Sequence, residues 1–132
     1  MPRAQWSLKQ GRPVIKVTLC LAQGGPKVTR TLLADTGAGT THAPFELLLD
    51  EDDCLLCGTG VSYMVSLGGA YAGSYPVYLV HIEIASLGIA SDFRAVGVPT
   101  PPQGLDGIAG FGFLNRFTYG NFGGASSFGL EL

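Results

Sequence analysis

The amino-acid sequence predicts a single, mostly β domain with little helix. Apolar and polar residues alternate in several segments, which is the period of a strand with one buried face. The 20 glycines cluster between these segments, as expected of strands joined by tight turns. The chain is long enough for one packed core and contains no internal repeat. We therefore expect one domain that covers residues 1–132.

A hairpin is predicted in the first part of the chain. Residues 15–21 alternate between apolar and polar side chains, and residues 23–26 form a glycine- and proline-containing turn. Residues 27–34 are then expected to return as the second strand. This strand runs directly into Asp35.

An acidic segment follows, and its secondary structure is not evident from the pattern. Residues 44–53 contain Glu46 and end on the acidic run 50–53. A run of like charges is usually a solvated face. We therefore expect Glu46 and this run to lie in a surface loop.

A second, longer hairpin is predicted in the middle of the chain. Alternation begins again in residues 61–67 and returns through residues 75–84, around a glycine-rich tip at residues 67–73. Beyond it we expect a further strand, a rigid proline-rich loop, one short helix and a C-terminal strand. These four segments span residues 89–98, 99–102, 112–117 and 128–132.

Composition and charge argue against several functional classes. The eight Lys and Arg residues are scattered, so no nucleic-acid partner is expected. The longest apolar runs, such as residues 78–84, contain polar residues and are too short to cross a bilayer, so no membrane partner is expected for this chain. The N-terminus lacks the apolar core of a signal peptide. A cytoplasmic location is the default expectation, although the chain could be excised from a longer precursor.

The three cysteines are expected to be ordinary reduced thiols, because an odd number argues against a disulfide framework. Cys54 and Cys57 form one C-x-x-C motif, which also occurs in redox and zinc sites. A zinc site needs about four ligands, and the other soft donors are Cys20, His42 and His81. Cys20 lies within a predicted strand, where packing in the core is expected. We therefore expect no metal and no cofactor.

One short stretch has the features of a catalytic site. In residues 32–38 an apolar strand ends on Asp35, followed by Thr36 and Gly37. Placing a carboxylate at the end of a buried strand costs free energy, so the arrangement is expected where the carboxylate has a function. The hydroxyl can bond nearby backbone, and glycine permits a tight turn with close approach of another chain. A plain strand-end turn is the alternative interpretation, because Asp-x-Gly is common in turns.

Residues 32–38 closely resemble the active-site signature of the retroviral-type aspartic proteases, the retropepsin family. A second family signature is matched by Gly-Ile-Ala-Gly at residues 107–110, with a helix candidate at residues 111–117. Between them lies a glycine-tipped hairpin, residues 64–77, where the family has its flap. The resemblance covers residues 13–117 in the family's order. It implies a closed, retropepsin-like β-barrel with a flap hairpin and one short helix.

Departures from the family pattern make the chain more similar to cellular and bacterial members than to viral ones. Viral members usually pair an acid with an arginine at positions that here hold Gly39 and Phe111. Both partners are absent together, so no buried charge is left unpaired. Ala109 is also smaller than the usual residue, and the chain is longer around residues 50–60.

The resemblance implies an aspartic endopeptidase, a hydrolase in which two aspartates activate a water that attacks the peptide bond. Asp35 is the only aspartate in the sequence followed by Thr-Gly or Ser-Gly, so each subunit of a homodimer would supply one carboxylate. Asp106 is the nearest alternative, but Asp106-Gly107 after a proline-rich loop is more simply a turn. Thr36 of each subunit would tie the two catalytic loops together. The implied catalytic residues are Asp35, Thr36 and Gly37.

Substrate would bind as an extended strand beneath the flap. The implied substrate contacts are Ala38, Gly39, Gly68, Gly69 and Tyr71. Tyr71 could equally be an exposed aromatic at the tip or pack on the flap's own strands.

Two terminal segments, residues 5–8 and 127–132, are candidates for the dimer interface. Edge strands within one subunit are the alternative for both. A second functional hypothesis is a catalytically silent, retropepsin-like module that binds peptides or dimerises.

Overall fold

A computed structural model of the protein describes residues 2–40 and 43–132. Over these ranges the chain is mostly β, with ten strands and two short helices, which confirms the predicted class. The strands are β1 (Arg3–Ser7), β2 (Val14–Cys20), β3 (Lys27–Ala34), β4 (Leu47–Asp50), β5 (Gly58–Leu67), β6 (Gly73–Ile84), β7 (Ile89–Val98), β8 (Gly107–Ala109), β9 (Thr118–Gly120) and β10 (Ser127–Glu131). The helices are α1 (Glu51–Cys57) and α2 (Phe111–Leu114). Neither helix in these ranges has the length and apolar character needed to cross a membrane.

Six of the strands form a closed ring. Their order is β2, β3, β8, β4, β7 and β6, and two residue pairs between β2 and β6 close it. β5 pairs with β6 in a long hairpin and is the remaining edge of this sheet. A separate sheet contains β1, β10 and β9 in that order.

The predicted first hairpin is confirmed, and its alternation sorts side chains between core and solvent. β2 and β3 pair antiparallel from Val14 to Cys20. Ile15 and Val17 are buried, whereas Lys16 between them is exposed. The apolar face of the hairpin therefore supplies part of the core enclosed by the ring.

The short helix near the C-terminus is present but ends earlier than expected. α2 has four residues, begins at Phe111 as the longer of the two predicted ranges does, and ends three residues before the predicted end at residue 117. Phe113 and Leu114 are fully buried, and the Phe113 ring centroid lies 5.2 Å from that of Phe93 and 5.3 Å from that of Phe117. The chain then continues in turns, with the Phe117 N–H donating to the Leu114 carbonyl at 3.1 Å. Aromatic packing thus holds α2 against the core.

The predicted acidic loop instead forms β4 and α1, although Glu51 and Asp52 in it are exposed as expected. The Asp50 side chain caps the helix by accepting from the Asp52 N–H at 2.8 Å. The acids of the first turn also suit the positive end of the helix dipole. Asp53 is only 7% exposed, and its carboxylate accepts from Arg30 Nε and Nη2 at 2.8 and 3.0 Å. The charge run therefore marks the start of a helix.

The terminal segments pair with each other within one chain. β1 lies antiparallel to β10, from Arg3 opposite Glu131 to Ser7 opposite Ser127. β10 pairs with β9 on its other side, so β1 and β9 are the edges of this sheet. Within the single chain the segments are strands of one subunit, and a role in a dimer interface stays a prediction.

Candidate active site

Asp35 lies at the end of β3, where the strand gives way to a tight turn. Its backbone N–H donates to the Ala109 carbonyl at 3.0 Å, which ties it to β8. Its carboxylate Oδ1 accepts from the Gly37 N–H at 2.9 Å. Asp35 is half-buried, whereas Thr36 and Gly37 are exposed. The bond to Ala109 fixes the backbone of Asp35, and the bond from the Gly37 N–H fixes its carboxylate.

The two sequence signatures lie side by side in the ring. β3 pairs parallel with β8, with Ala34 opposite Ala109, and β8 pairs with β4 on its other side. The backbones approach closely, since a Cβ on Gly107 would lie 2.1 Å from the Leu48 carbonyl oxygen. A side chain at this position would force the strands apart. Glycine at residue 107 is therefore what allows β8 to lie between β3 and β4.

Two further backbone bonds support the loop that follows Asp35. The Phe111 N–H donates to the Ala38 carbonyl at 2.8 Å, and the Gly110 N–H donates to the Glu46 carbonyl at 3.0 Å. A Cβ on Gly110 would lie 2.8 Å from the Ala38 carbonyl oxygen, so this approach also favours glycine. The second signature thus holds the loop against the start of α2.

A cleft of about 530 Å³ is lined by Asp35, by the loop after it and by the tip of the β5–β6 hairpin. The residues that line it as predicted are Asp35, Gly37, Ala38, Gly39, Gly68 and Tyr71. Thr36 and Gly69 are exposed and are not among its described lining residues. The lining residues that were not predicted as contacts are Phe45, Leu48, Leu67, Ala70, Ile108 and Gly110. The alternation of the second hairpin and the second signature point to Leu67, Ile108 and Gly110, but no local pattern identifies Phe45.

The predicted second hairpin is confirmed and forms one wall of the cleft. β5 and β6 pair as far as Leu67 opposite Gly73, and a single 3-10 turn, Gly69–Tyr71, forms the tip. Val65 is buried, whereas the neighbouring Met64 is exposed. The hairpin therefore turns Val65 inward, while its outward side exposes an apolar residue, Met64.

Tyr71 both lines the cleft and packs on an apolar cluster next to it. The cluster is formed by buried residues of β4, β5, β6 and β7, namely Leu48, Val65, Val77, Val96 and Val98. Burial, and to a smaller extent the neighbouring Tyr75, raises the pKa of the Tyr71 phenol. The hydroxyl therefore keeps its proton at neutral pH and can donate a hydrogen bond.

Glu46 is buried, and its predicted place in a solvated loop is wrong. It is 5% exposed, and its carboxylate Oε2 accepts from the Arg94 N–H at 2.9 Å. Oε1 accepts from the guanidinium groups of Arg94 and Arg116. These bonds compensate a charge that is otherwise costly to bury. The network joins β7 and the residues after α2 to the segment that contains the cleft residue Phe45.

Asp106, the alternative catalytic candidate, is hydrogen-bonded to strand β3. Its N–H donates to the Thr31 carbonyl at 2.9 Å, and its carboxylate accepts from the Thr31 N–H at 2.8 Å. It is not among the described residues that line the cleft. Its bonds lengthen the contact between β3 and the segment entering β8, which is a structural role.

The three cysteines are free, and their surroundings predict an order of reactivity. Burial raises the pKa of the Cys54 thiol to about 12, so almost no reactive thiolate forms near neutral pH. Cys20 is half-exposed at the end of β2 and not part of the core, contrary to the sequence prediction, although burial and then Glu83 raise the pKa of its thiol as well. His42, one of the two histidines, lies outside the described residues.

We expect iodoacetamide to alkylate Cys20 first and Cys54 only after denaturation. The order should hold at every pH at which the protein stays folded, because Cys54 is fully buried and burial also raises the pKa of its thiol. Peptide mass mapping at successive times checks the order. Rapid labelling of Cys54 in the folded protein near neutral pH would contradict its buried position.

The chemistry available to the cleft depends on one carboxylate. Asp35 is the only acid among the described residues that line it, and the side chains around it are apolar apart from Tyr71. A single carboxylate can accept a proton from water but cannot at the same moment donate one.

Neither a scan against models of protein families nor a search of curated proteins finds a match to this chain.

Proposed function

We propose that this chain is one subunit of a homodimeric aspartic endopeptidase of the retropepsin type. The observation that carries the proposal is the position of Asp35, whose carboxylate is held by Gly37 in an apolar cleft shared with a glycine-rich hairpin tip. The closed ring of strands and helix α2 directly after the second signature support the corresponding barrel fold. In this proposal the hairpin of β5 and β6 is the flap.

Peptide hydrolysis of this type needs two carboxyl groups that share a water. One accepts a proton from the water as it attacks the scissile carbonyl, while the other is protonated and donates to the carbonyl oxygen. Two neighbouring carboxyl groups divide these roles because they resist ionising together. The described lining of one chain supplies Asp35 alone. The second carboxyl group is therefore assigned to Asp35 of a second copy.

Thr36 is the proposed link between the two subunits. It is exposed on the turn that carries Asp35 and does not line the cleft of the single chain. A two-fold axis beside this turn would bring the two Asp35 carboxyl groups together. Each Thr36 hydroxyl could then bond to the opposite turn and keep the carboxyl groups aligned.

The proposed substrate is a peptide in extended form. The hairpin tip would contact the peptide at Gly68, with Gly69 beside the described lining of the cleft, and the catalytic loop would contact it at Gly39. Both backbone groups of Ala38 are already hydrogen-bonded, so Ala38 would contact the peptide through its side chain. Pairing with the tip and the loop would hold the peptide as an added strand, with its side chains in the apolar parts of the cleft. Tyr71 retains its proton and could donate to a peptide carbonyl.

Cleavage and association are expected to depend on each other. The protein should cleave members of a peptide library at acidic to near-neutral pH, and a pepstatin-type inhibitor should block the cleavage. Activity per subunit should rise with protein concentration and level off where sedimentation shows that the dimer is complete. A chain that stays monomeric at micromolar concentration and cleaves nothing at any pH would instead be the silent module.

A further inference from the structure

A group of side chains with metal-binding chemistry lies at the seam where the ring closes. β2 and β6 meet there in two residue pairs, one of which sets Thr18 opposite Glu83. Continuing the same antiparallel register two residues beyond Thr18 sets Cys20 opposite His81. Alternation along β6 places His81 and Glu83 on the same face. The seam thus brings a thiol, an imidazole and a carboxylate together.

The three groups converge closely enough to share one ion. Ligand atoms of Cys20, His81 and Glu83 all lie within 4.8 Å of one another, and His81 Nε2 is 3.7 Å from Glu83 Oε2. Zinc takes thiolate, imidazole and carboxylate ligands at about 2.0–2.3 Å, which places tetrahedral ligands about 3.3–3.7 Å apart. All three residues are half-buried, so an ion can reach them from solvent.

We propose that Cys20, His81 and Glu83 bind a zinc ion that fastens β2 to β6. Three protein ligands leave the fourth tetrahedral position to a water molecule. One thiolate and one carboxylate balance the two positive charges of the ion. A thiol together with imidazole favours zinc over magnesium or calcium, which prefer oxygen ligands.

Neighbouring side chains already orient two of the three ligands. His81 Nδ1 is 3.0 Å from Asp92 Oδ1, which directs Nε2 toward the ion, as outer carboxylates do in many zinc sites. Lys27 Nζ donates to Glu83 Oε1 at 2.7 Å and leaves Oε2 on the side of His81. These charged groups alone would form an ordinary surface ion-pair cluster, which needs no metal. The thiol within reach of the same point is what favours a metal.

Metal titration of the full chain tests the proposal without any measurement of proteolysis. Zn²⁺ should raise the melting temperature by roughly 5–10 °C at a hundredfold excess over Kd. Co²⁺, used as a spectroscopic probe, should produce a thiolate-to-metal charge-transfer band. Cys20→Ser should remove both effects. Asp92→Asn keeps all three ligands and should weaken binding about 10–100-fold.

Two control variants separate this site from other parts of the molecule. Glu51→Gln changes an exposed acid on α1 and should bind Zn²⁺ as the wild type does. Asp35→Asn should also bind normally, so the failure of the protease proposal would leave this one standing. Melting curves without metal show whether each variant folds. A wild-type protein without the Co²⁺ band, or a Cys20→Ser protein that keeps it, would overturn the proposal.

Discussion

Replacing Asp35 by asparagine is expected to lower kcat/KM for peptide cleavage by at least about 10³-fold. In a homodimer the substitution removes both carboxyl groups, so neither the general base nor the general acid remains. Asparagine keeps the size of the side chain and an oxygen that can accept from the Gly37 N–H. The fold and the dimer should therefore persist. Cleavage assays, with circular dichroism and sedimentation of the same samples, measure each expectation.

Asp52→Asn is the matched control, because it removes a carboxylate from an exposed position in α1, outside the described lining of the cleft. Its activity should stay within about twofold of wild type, as for most surface substitutions. Mixing provides a second check: equal amounts of wild-type and Asp35→Asn subunits should leave about a quarter of the activity, if dimers form at random. A decrease to one half would indicate a monomeric catalyst. Residual cleavage by clean Asp35→Asn protein would refute the proposed role of Asp35.

Replacing Glu46 by alanine is expected to lower the free energy of unfolding by about 2–3 kcal/mol. This is a large share of the roughly 5–15 kcal/mol that stabilises a typical domain. The Arg94 N–H would lose the acceptor that lies 2.9 Å away, and the guanidinium groups of Arg94 and Arg116 would lose their shared carboxylate. Both arginines are about half-exposed, so water screens part of the second effect. Urea unfolding followed by fluorescence gives the change in free energy.

Glu46→Gln separates the hydrogen bond from the charge. The amide oxygen can still accept from the Arg94 N–H, so a smaller loss of about 1 kcal/mol is expected. Glu51→Ala, which truncates an exposed acid in the first turn of α1, should cost less than about 1 kcal/mol, because it loses only a favourable interaction with the helix dipole. A Glu46→Ala protein as stable as wild type would show that the carboxylate does not hold β7 and the residues after α2 together.

Local patterns in the sequence are sufficient to locate both hairpins. The alternation of Ile15 and Val17 with Lys16 predicts which face of β2 is buried, and the structure agrees. The same reasoning places the glycine-rich tip between β5 and β6. The end of α2 is less predictable, because it depends on how Phe113 packs against Phe93 and Phe117.

Acidic residues show where local pattern is insufficient. Glu46 and Asp53 look like parts of a solvated charge run, yet both are buried. Asp53 is compensated by Arg30, which lies 23 residues earlier, and Glu46 by Arg94 and Arg116, which lie 48 and 70 residues later. A charge can be buried when a residue far away in the sequence pairs with it. The sequence neighbours of an acid do not reveal which residue that is.

The mostly β class, the two hairpins and the presence of one Asp-Thr-Gly carboxylate per chain follow from residue order, because alternation and short motifs are local properties. Other features required the folded chain. β8 lies between β3 and β4, the cleft joins Asp35 to the hairpin tip, and Cys20 meets His81 and Glu83 across the seam. Each depends on pairing between segments far apart in the sequence. Such pairing is selected by the energy of the whole core and backbone network, which a local pattern does not contain.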